Sequence, residues 1–274
     1  MLFLTLITIG LAAGVMASLE DDTGDETIDI DVTRNPDGNE DVNLTEDHDL
    51  FLGASNGEEV TAGGGDDMVF GEGGDDTIHG GSGTDVLMGQ EGDDSLSGGM
   101  GDDLLMDGSG SDTLSGGSGS DTIYSGDFTD VDALADQVST GSIDLSDQAL
   151  DALLDVSFDT DSDAADGDVA DGGSGNDVLV FGEADTVTGG SGSDLFYAGD
   201  WMSGGEAAVL EDFDPGEDVL LYSHDGTGAD PVISHQDDGG DRVILADGVP
   251  VIRLVGHAGS TSVTAGDVLL AERT

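Results

Sequence analysis

Between residues 69 and 123 one aliphatic side chain returns every nine residues, at Val69, Ile78, Leu87, Leu96, Leu105, Leu114 and Ile123. A period of nine fits neither an amphipathic helix, which repeats every three to four positions, nor a half-buried strand, which repeats every two. Two residues before each aliphatic stands an aspartate: Asp67, Asp76, Asp85, Asp94, Asp103, Asp112 and Asp121. Two residues before each aspartate stands a glycine: Gly65, Gly74, Gly83, Gly92, Gly101, Gly110 and Gly119. Three residue classes held in one phase mark a repeat architecture. Six glycine-containing residues read as a turn and three as a short strand, so two units of nine close a flattened coil of eighteen. The pattern predicts an all-β chain, a parallel β-roll (a right-handed β-helix) whose core is a thin ladder of Val, Ile and Leu.

Odd and even units differ at the two positions flanking the aliphatic residue. Odd units carry Leu50/Leu52, Met68/Phe70, Val86/Met88, Leu104/Met106, Val178/Val180 and Leu195/Tyr197. Even units carry Glu59/Thr61, Thr77/His79, Ser95/Ser97, Thr113/Ser115 and Thr186/Thr188. Odd strands stack only on odd strands, so one sheet should present an apolar outer face and the other a polar one. An apolar face of that extent calls for cover. The phase breaks after Asp121, and the aspartate due at position 130 is read as returning at Asp168, an insertion of about 38 residues over about 127–165. Inside it Val131, Leu134 and Val138, then Ala149, Leu150, Leu153, Leu154 and Val156 behind Ser146, have helical spacing. A small helical insertion, or the C-terminal segment, is expected on the apolar face, with a protein partner or self-association as the other occupant.

Charge changes the picture. The chain has 62 Asp+Glu against 4 Lys+Arg, all four of them Arg, for a net charge of -58. Repulsion at that level opposes compaction unless cations enter the structure, and aromatics at 4% leave little for a conventional core. The 47 glycines against 4 prolines favour repeated tight turns over a linker. With no cysteine there are no disulfides or thiolate metal sites. Hard oxygen donors remain, and these favour Ca²⁺ over zinc or copper. Nucleic acid and anionic membrane surfaces would be repelled. Carboxylates stacked at the strand spacing of about 4.8 Å repel by about 3.5 kcal/mol at an effective dielectric near 20, so bare stacks should not form.

The unit G-G-x-G-x-D-x-U-x, with U aliphatic, resembles the RTX, or haemolysin-type, calcium-binding nonapeptide repeat; residues 80–88 and 116–124 match it at every position. The resemblance implies about six Ca²⁺ ions between stacked turns. It implies as ligands Asp67, Asp76, Asp85, Asp94, Asp103, Asp112, Asp121, Asp177 and Asp194. Turn carbonyls complete the set, in turns shaped by Gly65, Gly74, Gly80, Gly83, Gly92, Gly98, Gly101, Gly110, Gly116, Gly119, Gly172, Gly175, Gly189 and Gly192. Asp49 and Glu58 keep the phase upstream without the glycines and are expected to bind weakly or not at all, as is Asp185 in a shortened unit.

The roll is expected over residues 44–197. Residues 198–274 read as a β cap: 209–221 and 263–271 resemble the segments that follow the roll in secreted RTX proteins of the serralysin type, the latter with an ending like a type I secretion signal. Residues 1–19 hold an apolar run suited to a signal peptide or anchor, the one expected membrane contact, and 20–43 read as an acidic linker. No His-Glu-x-x-His pair stands in the sequence, and no nucleophile elbow, phosphate loop or paired catalytic carboxylate stands apart from the repeats. The expectation is a secreted or cell-surface, non-enzymatic module that folds on binding calcium. The alternatives are a hydrolase with its site in the C-terminal third, and a surface adhesin or matrix component.

Overall fold

Each nonapeptide forms one strand, and successive strands fall alternately into two parallel sheets that face each other. The structure, a computed structural model, describes residues 15–20, 27–32, 41–126, 167–202, 205–224, 226, 228–259 and 268–272, which contain no helix. One sheet has nine strands: Leu50–Ala54, Met68–Glu72, Val86–Glu91, Leu104–Ser109, Thr122–Ser125, Val178–Phe181, Leu195–Gly199, Val219–His224 and Val268–Glu272. The other has eleven, of which Asp41–Asn43, Glu59–Gly64, Thr77–Ser82, Ser95–Met100, Thr113–Ser118, Val169–Ser174, Thr186–Ser191, Ala208–Leu210 and Val249–Leu254 are parallel. The strands Asp241–Ala246 and Ile233–Asp238 then close that sheet as an antiparallel cap. The strands Val15–Glu20 and Thr27–Val32 pair with each other.

The strands of the polar sheet run to six residues where a turn-and-strand division of the repeat predicts three. Pairing continues through the second glycine of each unit, Gly63 to Gly81 to Gly99 to Gly117. These backbones lie so close that a Cβ on Gly81 would collide with the carbonyl of Gly63. The glycines thus extend the ladder as well as turn it.

Val60, Ile78, Leu96, Leu114 and Val187 from one sheet meet Phe51, Val69, Leu87, Leu105, Ile123, Leu179 and Phe196 from the other, all at most 1% exposed. The outward residues differ between sheets as the alternation implies. Phe70, Val86, Met88, Leu104, Met106, Tyr124 and Val180 form a second buried cluster, whereas Glu59, Thr61, His79, Ser95 and Thr113 are exposed. Trp201 stacks on Tyr197 with ring centroids 5.8 Å apart and donates its indole N–H to Phe181 O at 2.9 Å, which covers one end of the apolar face. The C-terminal strands do not lie over that face. They lengthen the sheets edge to edge, Leu195–Gly199 pairing with Val219–His224 and that strand with Val268–Glu272. The expected helical insertion falls outside the described residues. What the register shows is its size: Thr113 pairs with Val169, and the amide of Asp112 reaches Asp168 across 56 residues instead of 18, so 38 residues lie between neighbouring coils.

Candidate metal centre

The turn aspartates stand in two columns, one along each edge of the roll, and each carboxylate divides its two oxygens between two tasks. Oδ1 accepts the backbone N–H of the aspartate one coil earlier. In the odd column this links Asp49, Asp67, Asp85, Asp103, Asp121, Asp177 and Asp194 at 2.8 to 2.9 Å. In the even column it links Glu58, Asp76, Asp94, Asp112, Asp168 and Asp185 at 2.6 to 3.1 Å. Oδ2 has no such partner. Those of Asp67, Asp76, Asp85, Asp94, Asp103, Asp112, Asp121 and Asp177 are sealed from solvent and accept no hydrogen bond. An ionised oxygen left in that state is costly, and the described part of the roll holds no Lys or Arg. The described arginines, Arg242 on Asp241–Ala246 and Arg253 on the neighbouring Val249–Leu254, lie beyond the acid columns, paired with Asp237, Asp238 and Asp241.

The glycines of each unit perform two separate jobs. Gly71, Gly80, Gly89, Gly98, Gly116, Gly172 and Gly189 open each unit, and a Cβ on any of them would run into Oδ2 of the aspartate five residues on. At Gly80 it would also lie 2.8 Å from Gly98 O of the next coil, and at Gly172 it would lie 2.6 Å from Gly189 O. Carboxylate and carbonyl oxygens therefore converge on a cradle that the missing side chain leaves open. The glycines two positions before the column aspartate, such as Gly83 before Thr84-Asp85 and Gly101 before Asp102-Asp103, do not face the cradle. They adopt φ of +138° and +128° and sit on the backbone of the coil below.

Hard oxygens converging from two coils, without sulfur or nitrogen, fit Ca²⁺. Bound there, the ion would neutralise Oδ2 and tie neighbouring coils together. The set tapers at its ends. Asp49 Oδ2 accepts from the amide and the hydroxyl of Thr45, both at 2.8 Å, and Asp185 Oδ2 accepts from Gly182 N at 2.7 Å and Ser125 Oγ at 3.2 Å. Among the described residues the row of sealed Oδ2 atoms ends at Asp177. Around Asp194, Asp212 accepts the amides of Gly189 and Gly190 at 2.9 and 2.8 Å.

Two groups of residues go beyond what the repeat pattern suggests. Asp66, Asp75, Asp93 and Asp102, each just before a ligand-type aspartate, accept a backbone N–H from the coil above at 2.7 to 3.2 Å and make a second, exposed set of links. The Asp-Asp doublets were the signal for them. Asp107 stands where other units place the cradle glycine, and it is 1% exposed.

Burial pushes the column aspartates up: Asp94, Asp103, Asp121 and Asp177 to about 6, Asp67 and Asp112 to about 7, and Asp76 to about 8. The amide that each accepts opposes the rise, and neighbouring carboxylates add to it. A group whose pKa is raised in the folded state stabilises that state when protonated. For the metal-free protein this contribution is complete below about pH 4, the unfolded value, and is lost as pH rises through 6 to 8. We therefore expect the protein in excess chelator to show a thermal unfolding transition at pH 5 and none at pH 8, where the metal-free fold is already lost, and in millimolar calcium to show the higher midpoint at pH 8. Equal midpoints in chelator would contradict the burial of these carboxyls.

The geometry defines a parallel β-roll with acid-lined turns. Its repeats match the RTX calcium-binding nonapeptide repeat in four copies, over residues 61–96, 97–132, 164–183 and 181–206. The chain carries RTX calcium-binding repeats, and calcium binding with a structural role follows from them. Among solved structures it is similar to the extracellular lipase LipA from Serratia marcescens, at 18% identity and a TM-score of 0.22, over 83% of this chain and 39% of the lipase chain. At that score the likeness says nothing of what this chain does. No curated protein matches.

Proposed function

We propose that the chain is a calcium-folded extracellular module, exported unfolded and locked by calcium outside the cell, which acts as a structural or binding element and not as an enzyme. The observation that carries this reading is the double row of sealed, unpartnered Oδ2 atoms in a roll whose described residues include no Lys or Arg. Such a row needs a cation that the described residues of the roll do not supply. Dissociation constants of about 0.1 to 1 mM, usual for extracellular calcium modules, match the supply outside cells and exceed that inside them. From residue 41 onward the described strands form coils and the cap that closes one sheet end, which suits a scaffold.

Calorimetric titration at pH 7.5 should show several calcium ions binding in that range, about six by the count of complete turns. Asp85→Asn with Asp103→Asn should lower the number, and magnesium should not substitute. Fractionation of producing cells should place the protein in the medium or on the surface. A wild-type titration without calcium uptake would overturn the binding reading, and retention of folded protein in the cytoplasm would overturn the export reading.

A further inference from the structure

One turn breaks the rule of the open cradle. In the unit that carries Asp112, residues 107–115, the first position is Asp107 rather than glycine. Asp107, Asp112 and Asp168 are 1%, 2% and 5% exposed, and one carboxylate oxygen of each lies within 4.8 Å of the others. In the sister turns Oδ2 of the aspartate faces the first residue of its own unit, as Asp103 faces Gly98 and Asp121 faces Gly116. By the same turn geometry Asp112 Oδ2, which is sealed and accepts no hydrogen bond, faces Asp107. A buried, unpartnered acceptor aimed into a group of three acids is a second sign of a cation site, independent of the clustering itself.

The neighbours of Asp107 leave it capacity to coordinate. It accepts Gly108 N at 2.6 Å on Oδ1 and Gly126 N at 2.7 Å on Oδ2, two of the roughly four lone-pair directions of a carboxylate. Both are backbone amides, and neither neutralises a charge. The position in the chain is also particular. Gly126 is the last described residue before the 38-residue break and Asp168 lies in the first unit after it, so the three acids sit where two coils meet that share no short covalent connection.

We propose that Asp107, Asp112 and Asp168 form a three-carboxylate Ca²⁺ centre, tighter than the two-carboxylate cradles above and below it, which clamps the coil before the break to the coil after it. This rests on the reading that the roll binds calcium. It adds that the sites are unequal, because calcium affinity rises with the number of charged ligands.

The test is calcium titration of the full-length chain against a chelator of known affinity, in wild type, Asp107→Asn and Asp107→Gly. Asp107→Gly restores the residue that sister units carry, so its fold is safe, and circular dichroism in calcium verifies it. Wild type should show one ion held about tenfold or more tightly than the rest. In Asp107→Gly that ion should join the weaker class with the total unchanged. In Asp107→Asn it should weaken by a similar factor, with its release on chelation correspondingly faster. Wild type and both variants binding several ions with the same tightest constant would overturn the three-carboxylate centre while leaving the calcium roll intact. A wild type that binds no calcium would overturn both.

Discussion

In excess chelator at pH 7.5 the far-ultraviolet β signal of this protein is expected to be lost, and titration to a few millimolar calcium should restore it cooperatively. The expectation follows from the two acid columns. Each sealed Oδ2 is unpartnered, neighbours along a column repel by about 3.5 kcal/mol at the strand spacing, and no described Lys or Arg enters the roll to offset this. If each site has a dissociation constant of about 0.1 to 1 mM, millimolar calcium contributes about 0.4 to 1.4 kcal/mol per site, and about six sites contribute roughly 2 to 8 kcal/mol. That is comparable to the whole stability of an ordinary domain, about 5 to 15 kcal/mol. Circular dichroism with calorimetry would check it. A β signal of full size in chelator at pH 7.5 would show that the ladder of Phe51, Val69, Leu87 and their facing residues holds the coils without the ion.

Gly101→Ala is expected to prevent folding even at saturating calcium, whereas Gly98→Ala should fold but bind calcium poorly. They stand only three positions apart, yet they serve different contacts. Gly101 has φ of +128°, and a Cβ there would drive into the carbonyl of Gly83, which is backbone and cannot move aside without unpairing Ser82 from Met100. Left-handed strain of about 1 to 2 kcal/mol adds to that collision, and the total should exceed about 4 kcal/mol, the exceptional range for one substitution. At Gly98 the obstacle is a single side chain, Asp103, whose Oδ2 can rotate away and whose Cβ, 2.8 Å from the added one, must yield by a few tenths of an ångström, so the coil should survive at a smaller cost while the cradle closes. Denaturation in 5 to 10 mM calcium, a concentration about tenfold above the expected dissociation constants, separates the two. Equal losses of stability would mean that the two glycines do one job.

Much of this was legible in the chain because the repeat is local. Within nine residues the aspartate, the aliphatic residue and the glycines fix one another's roles, and the eighteen-residue coil places each on its equivalents above and below. The same logic exposed the two-faced roll: Met88 and Met106 are buried on one outer surface, and Ser95 and Thr113 lie open on the other. What escaped this logic lies between coils. The phase brings Asp168 back over Asp112, but Asp107 reads as an imperfect glycine in its own unit, and nothing in the spacing says that its carboxylate converges on theirs. The links of Asp66, Asp75, Asp93 and Asp102 likewise exist only once the next coil is stacked.

By itself the sequence determined the repeat, the parallel roll, the acid columns and the need for a hard cation, because periodicity and net charge are properties of the chain before it folds. Tertiary structure alone decided which glycines keep a cradle open and which let backbones touch, which carboxylate oxygen is left for the ion, and that the C-terminal strands prolong the sheets instead of covering the apolar face. These depend on distances of 2.5 to 3.5 Å between atoms of different coils, which stacking sets and composition does not.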